Sequence, residues 1–336
     1  MLELNISTVS RALRDDTSRV SKRTIRRVKT AAAELGYTPD PIAQALRGGR
    51  SYTLAVLVPT LLDTVMAQLC QGIQSEAYDH GYIALIGTTL GDEETRSRLI
   101  SSYTKRRVDA ILIADSLTGQ ELPPGLEIAR NAPPAILVLR DNGNLPSATV
   151  DDFNGGQQVA DHLLERGHRT FAVVAADERI PSIENRVRGF LARLDRAGIS
   201  QAEIGIIRTG VLVDDGYVGM QALLSQGIEA TAVFCLNDQS AVGAMAALGE
   251  SGLKVGVDVA VVGFGDDALS ARLATGLTSV RTDIYQLGRE AVASALGLID
   301  GGYLESLITP VTLVTRESSQ KRFGPAETTA RVGDML

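Results

Sequence analysis

Short apolar runs alternate with helical patterns along most of this chain. Runs of five to seven residues stand at 53–58 (TLAVLV), 82–87, 108–114 (VDAILIA), 135–139 (AILVL), 170–176, 203–208, 231–236 (TAVFCL) and 259–264 (VAVVGF). A run apolar at nearly every position reads as a strand buried on both faces. Helical stretches fall between most of them, at 64–80, 154–166, 183–197, 214–226 and 239–252. Buried strands alternating with helices predict an α/β body, parallel sheets with helices on both faces. Residues 52–300 form two successive halves of this kind, the second beginning near 149–156.

The first fifty residues have another texture. Asn5 or Ser7 can cap a helix over about 6–13, and DDTSR at 15–19 is a turn. Ser21 then caps a second helix with Ile25, Val28, Ala32 and Leu35 at helical spacing on one face. Gly36 ends it and Pro39 confirms the stop. Asp40 can cap a short third helix, PIAQALR, with Pro41 at its first position. GGRS at 48–51 is a flexible joint. The expected division is therefore a helical head at 1–39, a hinge helix and linker at 40–51, a body at 52–323 and a tail at 324–336.

Charge sharpens this division. The chain has 336 residues and a net charge of −7. Residues 1–50 hold ten Lys or Arg and five acids, net +5, while the remaining 23 basic and 35 acidic residues give −12. A basic head on an acidic body fits a head that meets a polyanion, and fits a solvated charged helix equally well. No apolar run approaches the roughly 20 residues of a membrane span, and the N-terminus lacks the apolar stretch of a secretory signal. Two distant cysteines, Cys70 and Cys235, offer no metal spacing and suit a reducing, cytoplasmic setting. No metal and no cofactor is expected.

Several motifs together carry a family resemblance. STVSRALRD, RVSKRTIRRVKTAAAELGYTPDPIAQALRGGRS, TLAVLVP, VDAILIA and HLLERGHRTFAVV appear in order. LNDQSAVGAMAALGESGLKVGVDVAVVGFGD, LTSVRTDIYQLG and TRESS follow them. Over about residues 5–320 the chain resembles the LacI/GalR (lactose and galactose repressor) regulators. The resemblance implies a helix-turn-helix head and a hinge helix on a body like periplasmic sugar-binding proteins. It implies two lobes closing over an effector, with the chain crossing between them near 150, 281 and 310. The N-lobe would hold about 52–150 and 281–309, the C-lobe about 151–280 and 310–323.

The same resemblance assigns roles. Ile6 and Ser7 fall on the pair that reads bases in the major groove, and Arg11 on an arginine that contacts base edges. Thr8 and Ser10 suit phosphate contacts, while Val9, Ala12 and Leu13 pack inward. Leu46 matches a hinge leucine wedged into the minor groove. Thr60, Asp63, Arg186 and Asn237 match effector-site positions, with Asp238 as a helix cap. The usual ligand aspartate is Gly265 here, and the acid comes one residue later as Asp266, which is expected to join the effector site. The usual stacking aromatics are Val65, Met66 and Val211. An arginine without its usual acid, in a pocket with few aromatic faces, points to a sugar acid or another small anion paired with Arg186. The GFGD wording resembles gluconate-type members. The implied protein is a cytoplasmic homodimer that binds palindromic operator DNA, represses transcription and answers to a sugar or sugar acid. It is not an enzyme.

Two other readings compete. Family members carry about eleven more residues, a helix that braces the reading helix, before the point where this sequence starts. Without that helix Val9 and Leu13 lose a packing face, and the chain could be a ligand-binding sensor body without DNA binding. The other rival is a nucleotide-dependent oxidoreductase, since GFGDDA (263–268) follows a strand and fits G-x-G-x-x-A. Against it, Asp266 and Asp267 would repel a pyrophosphate, and the dozen residues before LTSV leave little room for a crossover helix. The three histidines, His80, His162 and His168, suggest packing or capping rather than catalysis.

Overall fold

The computed structural model describes residues 4–13, 17–37, 49–121, 126 and 132–320. The third helix expected at 41–47, with Leu46, lies outside these residues, as does the tail at 324–336. The chain divides into two compact units, Met1–Tyr52 and Thr53–Leu336.

In the first unit, α1 spans Ile6–Leu13 and α2 spans Lys22–Glu34. Asn5 starts α1: its Oδ1 accepts the Ser7 amide at 2.9 Å and the Ser7 hydroxyl at 3.0 Å. Ser21 caps α2 by accepting the Thr24 amide. Ala12, Val20, Ile25 and Val28 are buried together, with Leu4, Val9 and Leu13 packed against them. The expected stripe on α2 ends early. Ala32 is half-buried, and Leu35, the C-cap, is 62% exposed.

The second unit contains two six-stranded sheets. The first has the order β11-β5-β4-β3-β1-β2. Its strands are β1 (Thr53–Val58), β2 (Ile83–Thr88), β3 (Ala110–Ile113), β4 (Ala135–Val138), β5 (Ser147–Val150) and β11 (Leu307–Thr309). The second has the order β12-β10-β9-β8-β6-β7. It comprises β6 (Phe171–Ala175), β7 (Gly205–Arg208), β8 (Ala232–Cys235), β9 (Ala260–Gly265), β10 (Thr278–Arg281) and β12 (Thr312–Val314). Every strand pair is parallel except β10 with β12. β3, β4, β6 and β8 are buried along their whole length, as both-face coverage by helices requires.

The helices are α3 (Thr64–Asp79), α4 (Glu93–Lys105), α5 (Asp152–Glu165), α6 (Pro181–Asp195), α7 (Val213–Ser225), α8 (Asp238–Glu250) and α9 (Ile284–Ile299). The chain passes between sheets after β5, after β10 and between β11 and β12. β9 and β10 pair in parallel although residues 266–277 between them are turns without a helix. Glycines allow close helix contact where it matters for the site. A Cβ on Gly189 of α6 would stand 2.0 Å from the Phe153 carbonyl oxygen of α5, and one on Gly156 2.1 Å from the Arg186 carbonyl oxygen. This approach sets α6, and with it Arg186, directly against α5.

Candidate functional site

Residues that follow β1 and β3 bond residues that follow β9 and β6 in the other lobe, Thr64 with Asp267 and Thr118 with Arg179. Open parallel sheets place ligands at the C-terminal ends of their strands. Thr60 follows β1 and closes a turn, its Oγ1 accepting the Leu62 amide at 3.1 Å. Asp63 caps α3 by accepting the Val65 amide at 2.9 Å. Burial pushes the Asp63 carboxyl up; the Val65 hydrogen bond and the charges of Arg140 and Arg186 pull the other way, and Asp267 adds to the rise. These interactions place residues of both lobes around Asp63.

On the C-lobe wall, Arg186 is buried and held by two hydrogen bonds. Its Nε donates to Asp152 Oδ1 at 2.7 Å and its Nη1 to the Leu236 carbonyl at 2.6 Å. Its guanidinium lies 3.7 Å over the Phe264 ring centroid. The arginine expected to lack an acid therefore has one. Asp152, at the first position of α5, does for Arg186 what sequence analysis assigned to a ligand anion. The expectation of an effector anion paired with an otherwise unpaired Arg186 is corrected on that ground.

Asn237 is the N-cap of α8. Its Oδ1 accepts the Ser240 amide at 2.8 Å and its Nδ2 donates to the Val211 carbonyl at 2.7 Å. Asp238, expected to be the cap, instead lies one residue inside the helix and is a buried acceptor. It takes the Asp267 amide at 2.7 Å, the Ser270 hydroxyl at 2.6 Å and the Ser279 hydroxyl at 2.5 Å. It thereby fastens the 266–277 turn to the end of β8.

That turn starts with two residues in uncommon conformations, Gly265 at φ +134° and Asp266 at φ +55°. Asp266 directs its carboxylate at Arg281, 2.7 Å away, and Arg316, 2.6 Å away. Its neighbour Asp267 is the acid that reaches the other lobe. Asp267 Oδ2 accepts the Thr64 hydroxyl at 2.6 Å and Oδ1 accepts Gln68 Nε2 at 2.8 Å. At a second point the Thr118 amide donates to the Arg179 carbonyl at 2.8 Å, again joining the lobes. Val65 and Val211 are half-buried and Met66 is buried.

In the head, Ile6 is 82% exposed, Ser7 is exposed, and Thr8, Ser10 and Arg11 are half-buried. Val9 and Leu13 are half-buried and Ala12 is fully buried. The histidines hold hydroxyls: His162 with Ser319 at 2.8 Å and His168 with Thr231 at 3.0 Å. Among the described residues no group of three or more His, Cys, Asp or Glu could hold a metal ion. No helix among them is long and apolar enough to cross a membrane.

Sequence reasoning missed Asp152, Asp267 and Arg140. Asp152 stands beside Asp151 and Asp267 beside Asp266, and only the fold shows that Asp152 meets Arg186 and that Asp267 meets the other lobe.

Residues 5–40 match the bacterial regulatory proteins of the lacI family, and residues 160–319 match the periplasmic binding protein-like domain. The transcriptional repressor CytR of Escherichia coli K12 is 31% identical over 308 residues, 90% of this chain and 89% of that protein. The transcriptional regulator DegA of Bacillus subtilis is 30% identical over 322 residues, 94% of this chain and 95% of that protein. Among solved structures, the lac repressor dimer bound to operator and the anti-inducer ONPF superimposes with a TM-score of 0.85 at 28% identity, covering 95% of this chain and 96% of that one. A LacI-family regulator from Enterococcus faecium with bound ribose gives 0.72 at 25% identity, covering 81% and 100%. The helical head, the two parallel sheets and the likeness over nine-tenths of both chains agree: this chain belongs to the LacI family of bacterial transcriptional regulators.

Proposed function

We propose that this regulator represses transcription by binding a palindromic operator as a homodimer, and that a small molecule held between its lobes controls that binding. The observation that carries this reading is the head's exposed edge. Ile6 and Ser7 stand exposed in the first turn of α1 while Ala12 anchors its other face in the head's core. A reading helix presents its N-terminal residues to base edges in this way. In this reading Ile6, Ser7 and Arg11 touch bases, Thr8 and Ser10 touch phosphates, and Leu46 enters the minor groove.

The effector is a sugar or sugar acid, and Thr60, Asp63, Arg186 and Asn237 form its site. Arg186 and Asn237 already hold structural partners and present their remaining N–H groups. Asp266, whose carboxylate is shared between Arg281 and Arg316, shapes the turn from which Asp267 reaches across. The cleft binds its ligand without transforming it, and the protein works in the cytoplasm. A row of exposed apolar residues on the edge strand β2 and its neighbours, including Tyr78, Ile83 and Leu85, supports self-association.

The test is a mobility-shift assay of the full chain on operator fragments selected from random DNA. Specific binding that weakens at least ten-fold in Arg11→Ala supports the reading. Ligand binding with no sequence-specific DNA binding supports the sensor reading instead.

A further inference from the structure

Arg140 follows β4, at the end of the strand that faces the cleft. It is 8% exposed, yet its guanidinium makes no hydrogen bond or ion pair among the described residues. Its main-chain oxygen alone is engaged, accepting the Ser116 hydroxyl at 2.5 Å. The acids whose charges act on it are Asp115, Asp63 and, from the opposite lobe, Asp177. Asp115 leans on Arg96 at 3.5 Å, and Asp63 caps α3. Arg140 also faces Arg186 of the opposite lobe, so another positive charge acts on it.

The surroundings are built rather than incidental. Leu139 precedes Arg140 at φ +65°, a conformation unfavourable for a leucine, and is buried. That turn carries Arg140 inward. Beside it lies a cavity of about 40 Å³, whose polar lining is Arg140, Arg96, Asp92, Glu93, Asp115 and Gln120. Arg96 Nε and Nη1 and Asp115 Oδ1 make no hydrogen bond there, although Arg96 lies 3.5 Å from Asp115 and 3.6 Å from Glu93. A water needs about 10–15 Å³ of such space, so the cavity takes a group of a few heavy atoms. Buried guanidinium groups are found paired because leaving one unpaired is costly. An acceptor that arrives with a ligand can supply that partner.

We propose that the effector carries an anionic group, a carboxylate or a phosphate, and that Arg140, backed by Arg96, receives it on the N-lobe wall of the cleft. This rests on the reading of the cleft as the effector site and adds the chemical class of the effector. Arg186 is not the anion receptor, because Asp152 already neutralises it; Arg140 is the cation left over. A planar guanidinium binds a carboxylate or phosphate through two parallel hydrogen bonds, which gives direction as well as charge.

The test follows thermal melting of the full chain at constant ionic strength with inorganic phosphate, with gluconate and with neutral glucose. In the wild type, at least one anion raises the melting temperature by several degrees, and more than glucose does. Arg140→Gln abolishes the anion's effect, while its own melting temperature without anion stays at or above that of the wild type. A purely structural Arg140 gives the opposite result, a variant that melts well below the wild type, and that overturns the proposal. Equal anion stabilisation in Arg140→Gln overturns it too, as does a rise with glucose alone or with no probe. A glucose response without an anion response still upholds the cleft as the site, provided Arg186→Gln removes it; persistence of the response in Arg186→Gln counts against the cleft itself.

Discussion

Thr64 and Asp267 meet across the cleft: the Thr64 hydroxyl donates to Asp267 Oδ2 at 2.6 Å, while Gln68 Nε2, one turn further along α3, donates to Oδ1 at 2.8 Å. One carboxylate of the C-lobe thus accepts two side chains of a single N-lobe helix. The Asp267 amide is itself held by Asp238, so the carboxylate reaches across from a fixed base. Hydrogen bonds to a charged group contribute about 1.5–3 kcal/mol each, less where solvent reaches them. Asp267→Ala is therefore expected to free the lobes without unfolding either. Amide hydrogen exchange should quicken over residues 61–68 while the central strands keep their protection. Unchanged exchange there would mean that the contact does not hold the lobes together.

The strands that apolar runs reveal are those buried on both faces, such as β1, β3, β8 and β9. β5 (SATV), β10 (TSVR), β11 (LIT) and β12 (TLV) escape that signal. They are short and rich in Ser and Thr, and they lie where the chain passes between lobes. Their strand state comes from pairing with neighbours rather than from their own pattern. The site divides in a similar way. The family resemblance assigned Arg186 and Asn237 to the effector site. Their partners were not legible, because Asp152 lies 34 residues from Arg186 and reads as an ordinary helix start beside Asp151. Arg140 stands in LRDNGN, which reads as a surface turn. The one available clue was its position just past a buried strand, at the end where such sheets bind ligands.

Gly189 lets α6 touch the backbone of α5, and Arg186 lies one turn before it. In Gly189→Ala the new Cβ would overlap the Phe153 carbonyl oxygen, a backbone atom that cannot swing aside. The helices must separate, and the Arg186–Asp152 contact at 2.7 Å lengthens with them. Overpacking of this kind costs about 1–3 kcal/mol. Urea denaturation should show that loss, and calorimetry should show at least ten-fold weaker effector binding. Wild-type stability would mean that the two helices have room to spare.

His168 ties stability to pH. Burial pushes its imidazole down to about 4, with His162 and Arg169 adding to the fall, against a free value near 6.5. The folded state therefore resists protonation while the unfolded chain accepts it. This contribution is fully present above pH 6.5 and is lost as the pH falls from about 6.5 towards 4. The difference amounts to about 3 kcal/mol at its limit. Urea melts at pH 8, 6 and 5 should show stability decreasing with acidification, and His168→Gln should flatten that slope. An equal slope in the variant would place the titration elsewhere.

In the proposed reading, recognition of DNA by α1 separates into two kinds of contact with different signatures. If Ile6 and Ser7 read bases, exchanging them should change which operator is preferred while leaving the salt dependence of binding nearly constant. Each discriminating contact to a base pair is worth about 1–3 kcal/mol, a change in preference of roughly ten-fold or more. Thr8→Ala should instead weaken binding to all operators alike, since a phosphate contact positions the helix without choosing a sequence. Ile6 is 82% exposed and Ser7 is exposed, so neither exchange should disturb the core around Ala12 and Val28, and the melting temperature should stay constant. Binding-site selection from random DNA, run for each variant beside fluorescence anisotropy at several salt concentrations, measures both quantities. A Ser7 exchange that weakens every operator equally would show that this end of α1 positions the head and does not read the bases.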